Sequence, residues 1–134
     1  MEKQRSKYEP LEKLWIWAEA IELHRLITEL LKEIKGQSGN KNQIDRSSQS
    51  IGDNIAEMHG VFYFNVKISC LRISRKEAYE TIGHIKKLEI KRVWRLNVCN
   101  NLIERYKKLI FGINKYIKYI QETKEKFKEK GKQE

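Results

Sequence analysis

Helix breakers are scarce in this sequence: one proline, Pro10, and seven glycines in 134 residues. A chain so poor in breakers and so rich in Lys, Glu, Leu and Ile points to an all-helical domain. Cysteine is scarce too. Cys70 and Cys99 stand alone, with no CxxC or Cys/His spacing, so neither a disulfide framework nor a zinc site is implied and reduced cytoplasmic thiols are expected. No apolar run approaches the roughly 18 residues of a membrane span. The N-terminal MEKQRSKYEPLEKL is too charged for a secretory h-region. Neither GxGxxG nor GxxxxGK[ST] occurs, so no glycine-rich phosphate loop is present.

Groups that could converge for catalysis are equally thin. The three histidines, His24, His59 and His84, fall on three different segments. Glu77, Glu80 and His84 share a helix face by spacing and raise a metal hypothesis, but di-iron bundles need paired Glu-x-x-His motifs that this sequence lacks. Ser47, Asp53 and His59 lie along one helix with no strained elbow and no oxyanion hole. The expectation is a protein without catalysis, metal or cofactor. Glu57, Glu77 and Glu80 are expected instead to pair with Arg46, Arg75 or nearby hydroxyls, inside or between subunits.

What the sequence does have is positive charge, unevenly placed. Residues 1–60 hold 9 basic and 10 acidic side chains, net −1; residues 61–134 hold 19 basic and 8 acidic, net +11. Such asymmetry suits a polyanion, with plain solubility as the alternative. One domain of this length can bury a core without staples.

Apolar periodicity marks four helices, over about 11–35, 43–59, 61–93 and 97–121, followed by a charged tail, 122–134, expected to fray. In the first, Ile16, Ala20, Leu23, Ile27, Leu30 and Ile34 recur at 3-4 spacing; Trp15, Trp17 and Leu26 widen the stripe beyond one seam. The run GQSGNKN after it reads as a break, with Gly36 as the C-cap residue. The third helix turns Ile68, Leu71, Ala78, Ile82 and Ile85 inward, and the fourth keeps its rhythm from Cys99 through Ile120. Four long helices with short links predict an antiparallel up-and-down four-helix bundle.

The second helix is the odd one. RSSQSIGDNIAEMHG is built from weak helix formers, yet Ile44, Ile51, Ile55 and Met58 keep helical spacing through it. Its small residues, Ser47, Ser48, Ser50 and Gly52, predict a helix approached closely by its neighbours, and Asn54 is expected as a buried polar residue that fixes register.

Here the sequence resembles the four-helix-bundle family of 23S rRNA intervening-sequence proteins. Leu14, Ile16, Trp17, Ala20 and Leu23 match L-x-[VI]-W-x-x-A-x-x-L, and QIDRSSQSIGDNIAE matches Q-[IL]-x-R-[AS]-[AS]-x-S-[IV]-x-x-N-I-A-E. LRISRKEAYET is similar to the L-x-I-[AS]-x-K-E-x-x-E-T run of part of the family. The likeness spans about Leu11 to Ile120 and carries Leu14, Trp17, Arg46, Ser50, Asn54, Glu57, Glu77 and Glu80 as its structural motif. Met58 stands where the family usually has glycine, and the link HGVFYFNV is more aromatic than the charged one expected. The resemblance implies a cytoplasmic bundle without enzyme activity that assembles into a ring-shaped homo-oligomer, a pentamer. It also implies a link to nucleic acid, and relatives serve the reverse transcriptases of diversity-generating retroelements.

The basic side chains offer a surface for such a role. Arg72, Lys76, Lys86, Lys87 and Lys91, with Tyr79 among them, are expected on an outer face of the third helix. Lys107, Lys108, Phe111, Lys115 and Lys118 are expected opposite the apolar seam of the fourth. Lysines interleaved with rings suit RNA or DNA, phosphates on the amines and bases on the rings, although burial against a neighbouring subunit is the favoured expectation for Phe111 and Tyr79 themselves. Three readings stay open: a basic bundle binding RNA or ribonucleoprotein with little sequence preference, an accessory subunit for a protein such as a reverse transcriptase, and a purely structural homo-oligomer.

Overall fold

A computed structural model describes residues 9–133. The charged leader, residues 1–8, and Glu134 lie outside the described residues, so the N-terminal expectation falls largely beyond them. After a short 3-10 turn at Leu11–Lys13 come four helices: α1 (Trp15–Lys32), α2 (Ser38–Gly60), α3 (Phe64–Ile90) and α4 (Leu96–Gln133). The described residues contain no strand.

Every neighbouring pair runs antiparallel. His24 meets Asp45 across α1 and α2 at 3.0 Å. The Ser47 hydroxyl meets that of Thr81 across α2 and α3 at 2.8 Å. Arg75 donates to Asn114 across α3 and α4 at 2.8 Å, and Arg105 grips Glu19 across α4 and α1. The predicted up-and-down order therefore holds, each helix packing on the next and α4 closing back on α1.

The apolar rows enclose one core, in which Leu23, Ile27, Ile44, Ile51, Ile55, Met58, Leu71, Ile85, Leu88, Tyr106, Leu109 and Ile113 are wholly buried. α2 owes its form to this core, because its hydroxyls satisfy carbonyls instead of competing for turns. Ser48 donates to the Ile44 carbonyl at 2.7 Å, and Ser74 of α3 donates to the Ile51 carbonyl at 2.9 Å. Small side chains let α2 and α3 form the most extensive seam of the bundle. On the other flank of α2, a Cβ added at Gly52 would stand 2.8 Å from the Cδ1 of Ile21.

Several expectations are corrected. The break between α1 and α2 is Glu33–Gln37, and SGNKN belongs to α2, whose start is five residues earlier than its apolar pattern. Gly36 and Gln37 both take left-handed φ, +74° and +58°, so the reversal lies beyond the last turn of α1 rather than at its cap. Asn54 fixes no register between helices: its amide donates to the Ser50 carbonyl and hydroxyl on its own helix. α3 is shorter at both ends than expected, Phe64–Ile90, and the link after it contains Arg92 at φ +57°.

The charged tail also differs. α4 runs on as helix through it to Gln133, and two contacts hold that extension to the start of α3. Phe127 packs on Phe64 with ring centroids 5.4 Å apart, and Lys124 donates to Asn65 at 2.7 Å. Cys70 and Cys99 are free and buried, and burial raises both thiols above the ordinary range. No helix of the described residues is long and apolar enough to cross a membrane.

Candidate nucleic-acid interface

All nine predicted cations, Arg72, Lys76, Lys86, Lys87, Lys91, Lys107, Lys108, Lys115 and Lys118, are exposed, eight on α3 and α4 and Lys91 just past the end of α3. Lys107 reaches Glu104 at 3.5 Å; the other eight have no ion-pair partner among the described residues. Exposure keeps each ammonium hydrated and ready for a phosphate.

The structure brings some of these together and parts others. Lys86 of α3 and Lys107 of α4 face each other across a groove of about 590 Å3, but Glu89 and Glu104 line it too. At the other end of the same helix pair Arg72 shares a groove with Lys124, a residue that sequence reasoning left in the tail. Lys87 and Lys91 turn away, toward Gln37, Ser38 and Asn40 at the start of α2. The single outer stripe expected on α3 is therefore split between two flanks of the helix.

On α4 the basic face opens toward α1. Lys107, Lys108, Phe111 and Lys115 surround a notch of about 530 Å3 whose other wall is Trp15. Gly112 makes it possible: a Cβ there would stand 2.5 Å from Cζ3 of Trp15, so the indole lies against bare α4 backbone. Trp15 remains 52% exposed and Phe111 64%, while the Lys115 ammonium sits 5.2 Å from the Phe111 ring centre. Tyr79 is also exposed, on α3. The sequence placed Trp15 only as surplus apolar surface. Its signal was a glycine inside an otherwise unbroken helical rhythm, which marks close approach.

The family-motif residues divide by role. Leu14 and Trp17 pack against the core, and Ser50 accepts from Asn54. Among the described residues the expected carboxylate pairs do not form within one chain. Arg75 turns to Asn114, Arg46 and Glu57 are exposed, and no ion pair joins Arg46 to Glu57, Glu77 or Glu80 among the described residues. Glu77 Oε2 is buried without a partner, and burial, then the charge of Glu80, pushes its carboxyl above the usual range. Burial, reinforced by the charge of Lys87, lowers His84.

Comparison with known proteins adds the family. The description "23S rRNA-intervening sequence protein" matches residues 12–115, a span that holds every candidate cation except Lys118. No curated protein matches the chain in sequence. A crystal structure of a protein of unknown function from the S23 ribosomal protein family of Bacteroides thetaiotaomicron has a similar fold. The TM-score is 0.72 at 24% identity, over 77% of this chain and 98% of that one. With a match over residues 12–115 of 134, the chain belongs to the 23S rRNA-intervening sequence protein family.

Proposed function

We propose that this bundle acts without catalysis and binds nucleic acid, RNA or ribonucleoprotein above all, through phosphate contacts with little sequence discrimination. The observation that carries this reading is the set of nine exposed cations on α3, just past its end and on α4, eight of them without an ion-pair partner among the described residues. Basic side chains on the flanks of two long helices suit a phosphate backbone better than base edges, and the sequence carries no recognisable helix-turn-helix, zinc-finger or RNA-recognition motif.

Self-assembly belongs to the same reading: a ring-shaped homo-oligomer, a pentamer by family resemblance, in a cytoplasmic setting. Val66, Ile73 and Ile90 of α3, together with Phe62 and Tyr63 just before it, leave apolar surface exposed for such a seam. A ring would multiply each modest patch along one strand. Mass measurement in solution tests it, and a monomer at micromolar concentration removes the ring.

Binding is tested by fluorescence anisotropy of a labelled single-stranded RNA, a structured RNA and a DNA duplex, each titrated across salt. Affinity is expected to collapse steeply as salt rises. Changing Lys107, Lys108, Lys115 and Lys118 to Gln together should lower the logarithmic salt slope on single strands by about 3. An unchanged affinity and slope would leave these faces merely solvated.

A further inference from the structure

We propose that the notch between Trp15 and Phe111 is a base-stacking site, which takes one unpaired nucleobase while Lys107, Lys108 and Lys115 hold the flanking phosphates. This rests on the nucleic-acid reading above and sharpens it, from a polyanion of any form to a single strand with an extruded base.

Three observations converge on that occupant. The first is shape. Gly112 lets the Trp15 indole seat against α4, so the notch is walled by two aromatic side chains and floored by bare backbone. Both residues stay more than half exposed. An aromatic wall accepts any base, because every base has a π-face.

The second is charge. The lining carries three lysines and no carboxylate, and of the three only Lys107 has an ion-pair partner among the described residues, Glu104 at 3.5 Å, outside the lining; the neighbouring α3–α4 groove mixes Lys86 and Lys107 with Glu89 and Glu104. An apolar slot rimmed only by ammonium groups is complementary to an aromatic body carrying anions on both sides. A nucleotide within a strand has that form. A wholly apolar partner would leave the three ammonium groups to be desolvated against it, at a cost.

The third is continuity. Lys107 lines both the notch and the α3–α4 groove, so a strand leaving the notch passes directly to Lys86. A duplex cannot offer this: its bases are stacked inside and only its phosphates would reach the lysines.

The test uses the full chain and two labelled oligomers of equal length, an oligothymidylate and a chain of abasic tetrahydrofuran units with the same phosphates. Wild type is expected to bind the oligothymidylate about tenfold more tightly, which is the effect of one stacked base. Phe111→Ala should shrink the ratio of the two affinities severalfold, to what the remaining Trp15 wall supplies, and Phe111→Tyr, which keeps a ring, should retain it. Because Phe111 is exposed, its circular dichroism and melting curve serve as a check that F111A keeps its fold. Equal binding of the two oligomers by wild type, with salt dependence intact, overturns the stacking site and leaves the phosphate reading standing. No binding of either at low salt overturns both. A change of oligomeric size in F111A overturns the site as well, because the notch would then be covered by a second copy of the chain.

Discussion

The seam between α2 and α3 and the seam between α4 and α1 solve the same packing problem in opposite ways. Across the first, Ser47, Ser74 and Thr81 are wholly buried and bonded, and small side chains let the two helices close on each other. Across the second, contact is thinner. It depends on the Glu19–Arg105 pair at one point and on Trp15 over Gly112 at another, and it leaves two rings and three lysines facing solvent. A seam of small residues spends its surface within the chain. A seam of large ones keeps surface available to something else, and the notch lined by Trp15 and Phe111 lies on that side.

The contrast can be broken most severely at the closed seam. Ile51→Ala, which hollows out the row beside the Ser74 bond, should cost about 3 kcal/mol in chemical denaturation. A loss below about 1 kcal/mol would mean that α2 and α3 collapse into the void, so the seam is less tightly specified than its bonds imply. Glu19→Gln should cost about 1 kcal/mol, since Arg105 loses the charge of a two-point grip at 2.6 and 3.2 Å in a half-buried position. That loss should shrink as salt rises, a dependence absent from Ile51→Ala.

Tyr106→Phe should act in the opposite direction. The Tyr106 hydroxyl is buried with no hydrogen-bond partner among the described residues, and burial drives its pKa far above the ordinary phenol. Removing an unpaired hydroxyl should raise stability by about 1 kcal/mol, read as a higher melting temperature. A destabilised Y106F would show that the hydroxyl is bonded in solution.

The smallest effect belongs to the margin of the closed seam. Burial and then Glu80 raise the Glu77 carboxyl in the folded state, so its ionisation weighs against folding. That burden is absent below the unfolded pKa and grows as pH rises through the folded one. Glu77→Gln removes it, so E77Q should melt above wild type at pH 7 and lose that advantage as pH falls toward 4. A constant difference across that range would assign the effect to packing instead.

Much of this was legible from spacing. The rows of α1 and α4 and the buried Ile44, Ile51, Ile55 and Met58 follow from periodicity, because a 3.6-residue repeat has one way to face a core. The small residues of α2 likewise announced a close approach. What spacing could not show depends on partners far away in the chain. SGNKN carries no apolar row, so the start of α2 was invisible. The tail was read as fraying because its one ring, Phe127, has its partner, Phe64, at the start of α3. The carboxylates expected to pair with Arg46 were assigned by charge alone, and charge does not say which face a side chain occupies. At the candidate site the lysines were readable and Trp15 was not, since its importance comes from Gly112, nearly a hundred residues later.

The up-and-down order also bears on how the chain assembles. Three of the four seams join helices that are consecutive in sequence, so their formation closes only short loops. The α4–α1 seam alone joins the two ends and must wait for the rest. Contacts made after the transition state govern how fast the native state opens rather than how fast it forms. Loosening Glu19–Arg105 should therefore steepen the loss in the unfolding limb of a chevron and leave the refolding limb nearly untouched. The bundle would open first along the side that carries its rings and lysines.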